Sequence, residues 1–209
     1  MMKYKKTIIL TSIIVVLPMI AGLILWKQLP DTMAVHFGTD NSPNGWSSKP
    51  FAVIGLPVLM LAVHLICVGI TLNDPKRKNI SEKMKGLIFW IVPVVSLICN
   101  ISIYMAALGK KINIGMITGC AVGFVFVLVG NYMPKLKQNY TVGIKLPWTL
   151  SSEENWNKTH RLAGWLWILA GTALMAAGIL DVGNAVIVII LAIMLIPAAY
   201  SFILYKKGI

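Results

Sequence analysis

Read for apolar and polar positions, the chain falls into six long runs that contain no Asp, Glu, Lys or Arg: 7–26, 51–72, 86–108, 113–133, 162–180 and 185–205. Each run is about the length that crosses a hydrocarbon core of ~30 Å at ~1.5 Å rise per residue. No water satisfies the backbone there, so only helices or closed barrels span it, and these runs lack the period-two alternation of barrel strands. The pattern predicts an all-α membrane protein, a six-transmembrane-helix bundle forming a single polytopic domain over 1–209. An outer loop covers 27–50, and cytoplasmic loops cover 73–85 and 134–161. The first run is long for a signal peptide and no small-x-small cleavage site follows it before Lys27, so it reads as an uncleaved span.

Composition sharpens this picture. Of the 209 residues 57% are hydrophobic and only 12% charged, yet the net charge is +12. With the N-terminus inside, 15 of the 19 basic residues fall on the cytoplasmic side and four (Lys27, Lys49, Lys110 and Lys111) outside. Basic residues are retained on the inner face, so both termini are expected in the cytoplasm. The charge is thus a topology signal, and no direct nucleic-acid contact is expected. Cys67, Cys99 and Cys120 lie within spans without paired spacing, which supports neither a disulfide framework nor a zinc site; no cofactor is implied.

Within the spans, Gly115, Gly119, Gly123 and Gly130 mark the fourth, and Gly164, Gly171 and Gly178 mark the fifth at heptad spacing. Small residues let helix backbones approach closely, so both stripes are expected at buried helix contacts. Pro18, Pro57, Pro93 and Pro197 are expected to bend their helices. The one ionisable side chain noted inside the membrane is His64, with Ser96, Asn100 and Tyr104 at i, i+4, i+8 on the third span as polar neighbours. His64 and Asn100 are therefore candidate intramembrane polar residues, either interhelical glue or part of a ligand path. No acidic residue lies within a span, which argues against an ion-coupled transporter.

Two loops stand out. In the outer one, turn signals at Pro30-Asp31, Gly38 and Pro43-Asn44-Gly45 flank a short extended segment, Thr32 to Phe37, and suggest a small ordered cap. His36, Trp46 and Lys49 are candidate ligand contacts there; a headgroup anchor is the other reading of the tryptophan. In the cytoplasmic loop, Ser151 and Glu154 form a capping-box pattern that predicts a helix starting near Ser152. Glu154 and Lys158 are spaced for an ion pair, and Glu153, Trp156 and His160 share a face. A Glu and a His on one face invite a general-base reading, but neither a nucleophile nor a third metal ligand accompanies them. A structural or partner-binding face is the favoured reading, and no enzyme activity is expected.

The stretch Gly130-Asn131-Tyr132-Met133-Pro134-Lys135, then Val142-Gly143-Ile144-Lys145, Pro147-Trp148-Thr149-Leu150, Glu153, Trp156 and Thr159-His160-Arg161, resembles the signature of the SdpI family of bacterial immunity membrane proteins. Leu29-Pro30, Val35-His36, Gly45-Trp46 and Ser48-Lys49 resemble the domain of uncharacterised function at the N-terminal end of the same family. The resemblance implies a multi-pass bacterial plasma-membrane protein that protects the cell from a secreted, membrane-damaging peptide toxin of the sporulation-delay type. It further implies a receptor that holds a cytoplasmic autorepressor, a transcriptional repressor, at the membrane. Asn131, Pro147, Trp148, Glu153, Trp156, His160 and Arg161 are the family-matching positions and candidate partner-binding residues. Membrane lipids are the remaining expected partner. The competing reading is a small transporter or flippase-like protein, which would call for an inverted repeat between the two halves; none is evident.

Overall fold

The structure, a computed structural model, describes residues 2–209. It contains six helices long and apolar enough to span a membrane: α1 (Lys5–Ile24), α2 (Leu56–Asn73), α3 (Glu82–Ala107), α4 (Ile114–Tyr132), α6 (Glu153–Ile179) and α7 (Gly183–Lys206). A short helix, α5 (Pro147–Ser151), precedes α6, and one two-stranded hairpin, β1 (Thr32–Phe37) and β2 (Pro43–Ser48), links α1 to α2. This is the all-α six-span membrane class. Many Leu, Ile and Val side chains along the helices are half exposed or more, among them Ile24, Leu169 and Val188. In water so much exposed apolar surface would be unfavourable; in a bilayer, lipid covers it. The chain is a multi-pass membrane protein.

The chain divides into two compact units, one made of residues up to Ile70 with Gly86–Thr118, the other of Thr71–Lys85 with Gly119–Ile209. In the first, α1 buries a single stripe, Thr11, Val15, Pro18 and Gly22. That spacing of four, three and four residues is one face of a 3.6-residue helix. A π-helical turn at Phe51–Gly55 opens α2, and Pro57, which has no N–H to give back to the preceding turn, follows at its second position. Leu29, Met33, Ala52, Val53, Ile103 and Tyr104 form a buried cluster that joins the base of the hairpin to the helices of this unit.

The hairpin pairs Thr32 with Ser48 and Ala34 with Trp46, with bulges after Ala34 and after His36. Asn41 in its turn has φ of 61°, in the left-handed region that Asn tolerates better than most residues. That conformation aims its side-chain oxygen at the start of α4, where it accepts a hydrogen bond from the Gly115 N–H at 2.5 Å. The hairpin turn thus satisfies one of the orphan donors at a helix N-terminus.

In the second unit the two glycine stripes meet. A Cβ on Gly119 would lie 3.0 Å from the Cα of Gly178, and one on Gly130 would lie 3.0 Å from the Gly164 carbonyl oxygen. Between them, a Cβ on Gly123 would run into the Gly171 carbonyl oxygen. Rising positions on α4 meet falling positions on α6, so these two helices pack antiparallel, backbone against backbone. Gly115 is the exception in its stripe: its neighbour is Asn41 of the hairpin rather than α6.

The start of α6 differs from expectation by one residue. Ser152, not Ser151, is the N-cap, and its side chain accepts from the Asn155 N–H at 3.2 Å. The reason is α5: Pro147 starts a short helix that runs through Ser151, whose hydroxyl donates to the Trp148 carbonyl at 3.1 Å instead. Glu153 and Glu154 then fill the first turn of α6, where the helix dipole favours negative charge.

Candidate functional site

The motif positions of the 134–161 loop lie in the second unit, where Trp156 and His160 hold a folded loop against α6. Trp156 is completely buried and donates its indole N–H to the Leu136 carbonyl at 2.7 Å. One turn later His160, also buried, stacks on the Trp156 ring with centroids 3.9 Å apart. Its Nε2 accepts the Ile144 N–H at 3.0 Å, which leaves Nδ1 to carry the proton and donate to the Trp156 carbonyl at 2.7 Å. Both ring nitrogens are therefore engaged with backbone, and the imidazole is neutral with no lone pair free for a substrate. Gly143 makes the approach possible: its φ is 120°, and a Cβ there would collide with His160 Nε2.

Residues that the sequence did not single out hold the rest of this loop. Asp74, just past α2, is buried and accepts from the Lys76 N–H at 2.6 Å, the Tyr140 N–H at 2.9 Å and the Thr141 hydroxyl at 2.5 Å. A buried carboxylate is tolerated when several donors meet it, and these three do so. Gln138 donates to the Thr149 and Leu150 carbonyls at 3.0 and 2.8 Å and accepts from the Lys76 ammonium. Asn139 turns back on itself: its Oδ1 accepts the N–H groups of Thr141 and Val142 at 2.9 and 2.7 Å. Asn155 donates to the Ser201 carbonyl of α7 at 3.0 Å, and Trp148, one of the motif positions named from the sequence, donates to the Ser201 hydroxyl. Trp148 also packs edge-on against Phe202 at 5.3 Å.

The remaining motif positions are at the surface. Asn131, Glu153 and Arg161 are exposed, as is Pro147, which occupies the first turn of α5, where a missing N–H costs nothing. Glu153 lines a polar cleft of about 540 Å³ with Asn79, Lys135, Lys137, Gln138, Trp156 and Asn157. The structure therefore separates Glu153, on a cleft wall, from His160, which lies buried with both nitrogens used. They do not form an acid–base dyad. The Glu154–Lys158 pair forms at 2.8 Å on an exposed face, where such pairs contribute little.

The candidates of the 27–50 loop lie in the first unit. His36 Nδ1 is hydrogen-bonded to Asn44 Oδ1 across the hairpin, and Trp46 is 60% exposed. Lys49 is tied down: its ammonium meets Asp31 at 3.0 Å, donates to the Trp26 carbonyl at 3.3 Å and lies over the Trp26 ring. At the hairpin turn the Ser42 hydroxyl and N–H both donate to the Asp40 carboxylate, which holds its pKa below the usual value for an aspartate.

The intramembrane candidates belong to a polar seam along α1 in the same unit. His64 Nε2 lies 3.0 Å from the Thr11 hydroxyl, which itself donates to the Thr7 carbonyl at 2.8 Å. The Ser96 hydroxyl donates to the Val15 carbonyl at 3.0 Å and the Tyr104 hydroxyl to the Pro18 carbonyl at 3.0 Å. Asn100 donates to the Ser96 carbonyl at 2.8 Å along its own helix. The acceptors thus ascend the buried stripe of α1, and α2 and α3 reach it through side-chain donors. Among the described residues no group of three His, Cys, Asp or Glu side chains gathers to hold a metal.

Comparison with known proteins follows this division between the hairpin and the folded loop. Residues 13–61 match a domain of unknown function (DUF1648), which takes in the hairpin and parts of α1 and α2. Residues 135–205 match the SdpI/YfhL protein family, which takes in the folded loop, α6 and most of α7. The chain is 28% identical to the Immunity protein SdpI of Bacillus subtilis (strain 168) over 97% of both chains. No solved structure matches. The chain is thus similar to the SdpI/YfhL protein family over residues 135–205 and to that immunity protein over nearly its whole length.

Proposed function

We propose that this protein is an integral membrane immunity protein that protects its cell from a secreted, membrane-damaging peptide. The observation that carries this reading is near-full-length similarity to a protein named for immunity, together with the match of residues 135–205 to the SdpI/YfhL protein family. The site chemistry supports a binding role over a catalytic one: His160 has no free nitrogen, and Glu153 stands apart from it on a cleft wall.

In this reading both termini and the Asp74–Trp156–His160 loop face the cytoplasm, in keeping with the 15-to-4 distribution of basic residues, and the hairpin faces outward. The hairpin side meets the peptide. The cytoplasmic loop, with the polar cleft beside Glu153, is the surface that engages a transcriptional repressor and holds it at the membrane. Coupling the two requires that occupation of the outer side change affinity at the inner side.

The test is survival. A bacterium sensitive to a sporulation-delay-type peptide and lacking its own immunity gene is given this chain, and its killing curve is measured. Protection at peptide concentrations that kill the empty-vector strain supports the reading; superimposable curves, with the protein shown to be present in the membrane, would overturn it. For the regulatory half, a fluorescent fusion of the candidate repressor should move from cytoplasm to membrane only when both peptide and this chain are present.

A further inference from the structure

Between the hairpin and the connection from α3 to α4, within the first unit, the structure leaves a groove of about 540 Å³. Met33, Ala34, Phe37 and Trp46 line one side, and Ala106, Ala107 and Ile112 the other. Lys110 and Lys111 stand at its edge, both exposed. Neither lysine faces an acidic partner among the described ion pairs, whereas Lys49, the hairpin's own lysine, is already held by Asp31. The groove therefore combines apolar walls, a large aromatic ring left 60% exposed and two uncommitted positive charges.

Resting on the immunity reading, we propose that this groove is the docking site for the peptide. Its occupant is an extended or helical segment that lays aliphatic or aromatic side chains against Phe37 and Trp46 and presents a carboxylate to Lys110 and Lys111. The charge selects an acidic segment over a basic one, and the exposed indole offers the large, stiff surface on which such contacts are commonly anchored. The hairpin is well suited to hold the groove's shape: Met33 is fully buried at its base, and Asn41 ties its turn to α4.

The experiment uses the full chain in phosphatidylcholine nanodiscs, with empty discs subtracted. The probe is a fluorescent synthetic peptide of leucine, phenylalanine and serine carrying two glutamates, compared with a twin carrying two lysines. The acidic probe should bind roughly ten-fold more tightly than its twin, since two partly exposed charge contacts contribute together about that ratio. The Lys110→Glu, Lys111→Glu double variant should reverse the order, and Trp46→Ala should weaken both probes alike.

An order unchanged by the double variant would overturn the assignment. So would loss of acidic-probe binding on adding phosphatidylglycerol to the discs, which would make the groove a lipid-headgroup site. The killing assay separates this proposal from the one it rests on. If the double variant protects cells as well as the parent chain, the groove assignment fails while the immunity reading stands. If the parent chain does not protect, the immunity reading fails whatever the groove binds.

Discussion

Gly123 is the position where the antiparallel packing of α4 on α6 is tightest, and its substitution by alanine gives the sharpest test of that contact. A methyl group there would run into the Gly171 carbonyl oxygen and lie 3.0 Å from the Met175 N and 2.7 Å from the Met175 Cγ. The methionine side chain can swing away; the carbonyl and amide belong to a helix backbone and cannot. The two helices must therefore separate, and overpacking of this kind costs about 1–3 kcal/mol. Set against it is the better helix propensity of alanine, about 1 kcal/mol.

The matching control is Gly86→Ala on α3, where no atom lies within 4 Å of the added methyl. The control should be neutral or slightly stabilising; because both variants share the propensity gain, the unfolding midpoint of Gly123→Ala in detergent should fall below that of the control by roughly 2–12 °C, from about 1–3 kcal/mol at about 2–4 °C per kcal/mol. Gly123→Leu should lower it further. If Gly123→Ala and Gly86→Ala unfold at the same temperature, the backbone contact is not what holds α4 to α6, and the reasoning fails.

Three further outcomes follow from the sites. Trp156→Phe keeps an aromatic ring to stack on His160 but leaves the Leu136 carbonyl without its donor, so it should destabilise by about 1–3 kcal/mol in denaturant titration. Asp74→Ala removes one acceptor from three donors and should release residues 138–142, seen as faster hydrogen exchange at the Tyr140 amide. Asp74→Asn, which keeps one oxygen, should do so less. At the hairpin turn, the depressed pKa of Asp40 means that its bonds to Ser42 are fully present above the ordinary aspartate value and are lost as pH falls through the folded one. Ser42→Ala should move the Asp40 titration midpoint, followed by NMR, back toward 3.8.

How much of this was legible beforehand depends on whether the signal was local. The six spans were visible because charge is so costly in hydrocarbon that its absence over about 20 residues leaves few alternatives. The segment Thr32 to Phe37 was legible as extended from its β-branched and aromatic residues between turn signals. Its partner Pro43–Ser48 was not, because Pro, Asn, Gly and Ser have poor strand propensity; pairing with β1 makes it a strand.

Spacing revealed both glycine stripes, but it could not say that Gly115 meets Asn41 rather than α6. Trp156 and His160 were marked by their common face; that both end up buried and satisfied by backbone depends on Leu136 and Ile144, which arrive from a loop with no periodic pattern. Asp74 and Gln138 were the hardest to see. Apart from the Lys76 N–H beside Asp74, their partners lie 11 to 67 residues away, and nothing local distinguishes a carboxylate or amide that folds a loop from one that faces water. The Ser152 cap was missed by one position because two serines stand together, and only the extent of α5 decides between them.

The central claim is that this chain itself protects a membrane from a peptide. It is tested most directly with purified protein in dye-filled vesicles, the peptide added from outside and leakage followed by fluorescence. Vesicles containing the chain should leak markedly more slowly than vesicles carrying an unrelated six-span protein at the same density. Equal leakage from both, with the chain inserted and folded, would contradict the account.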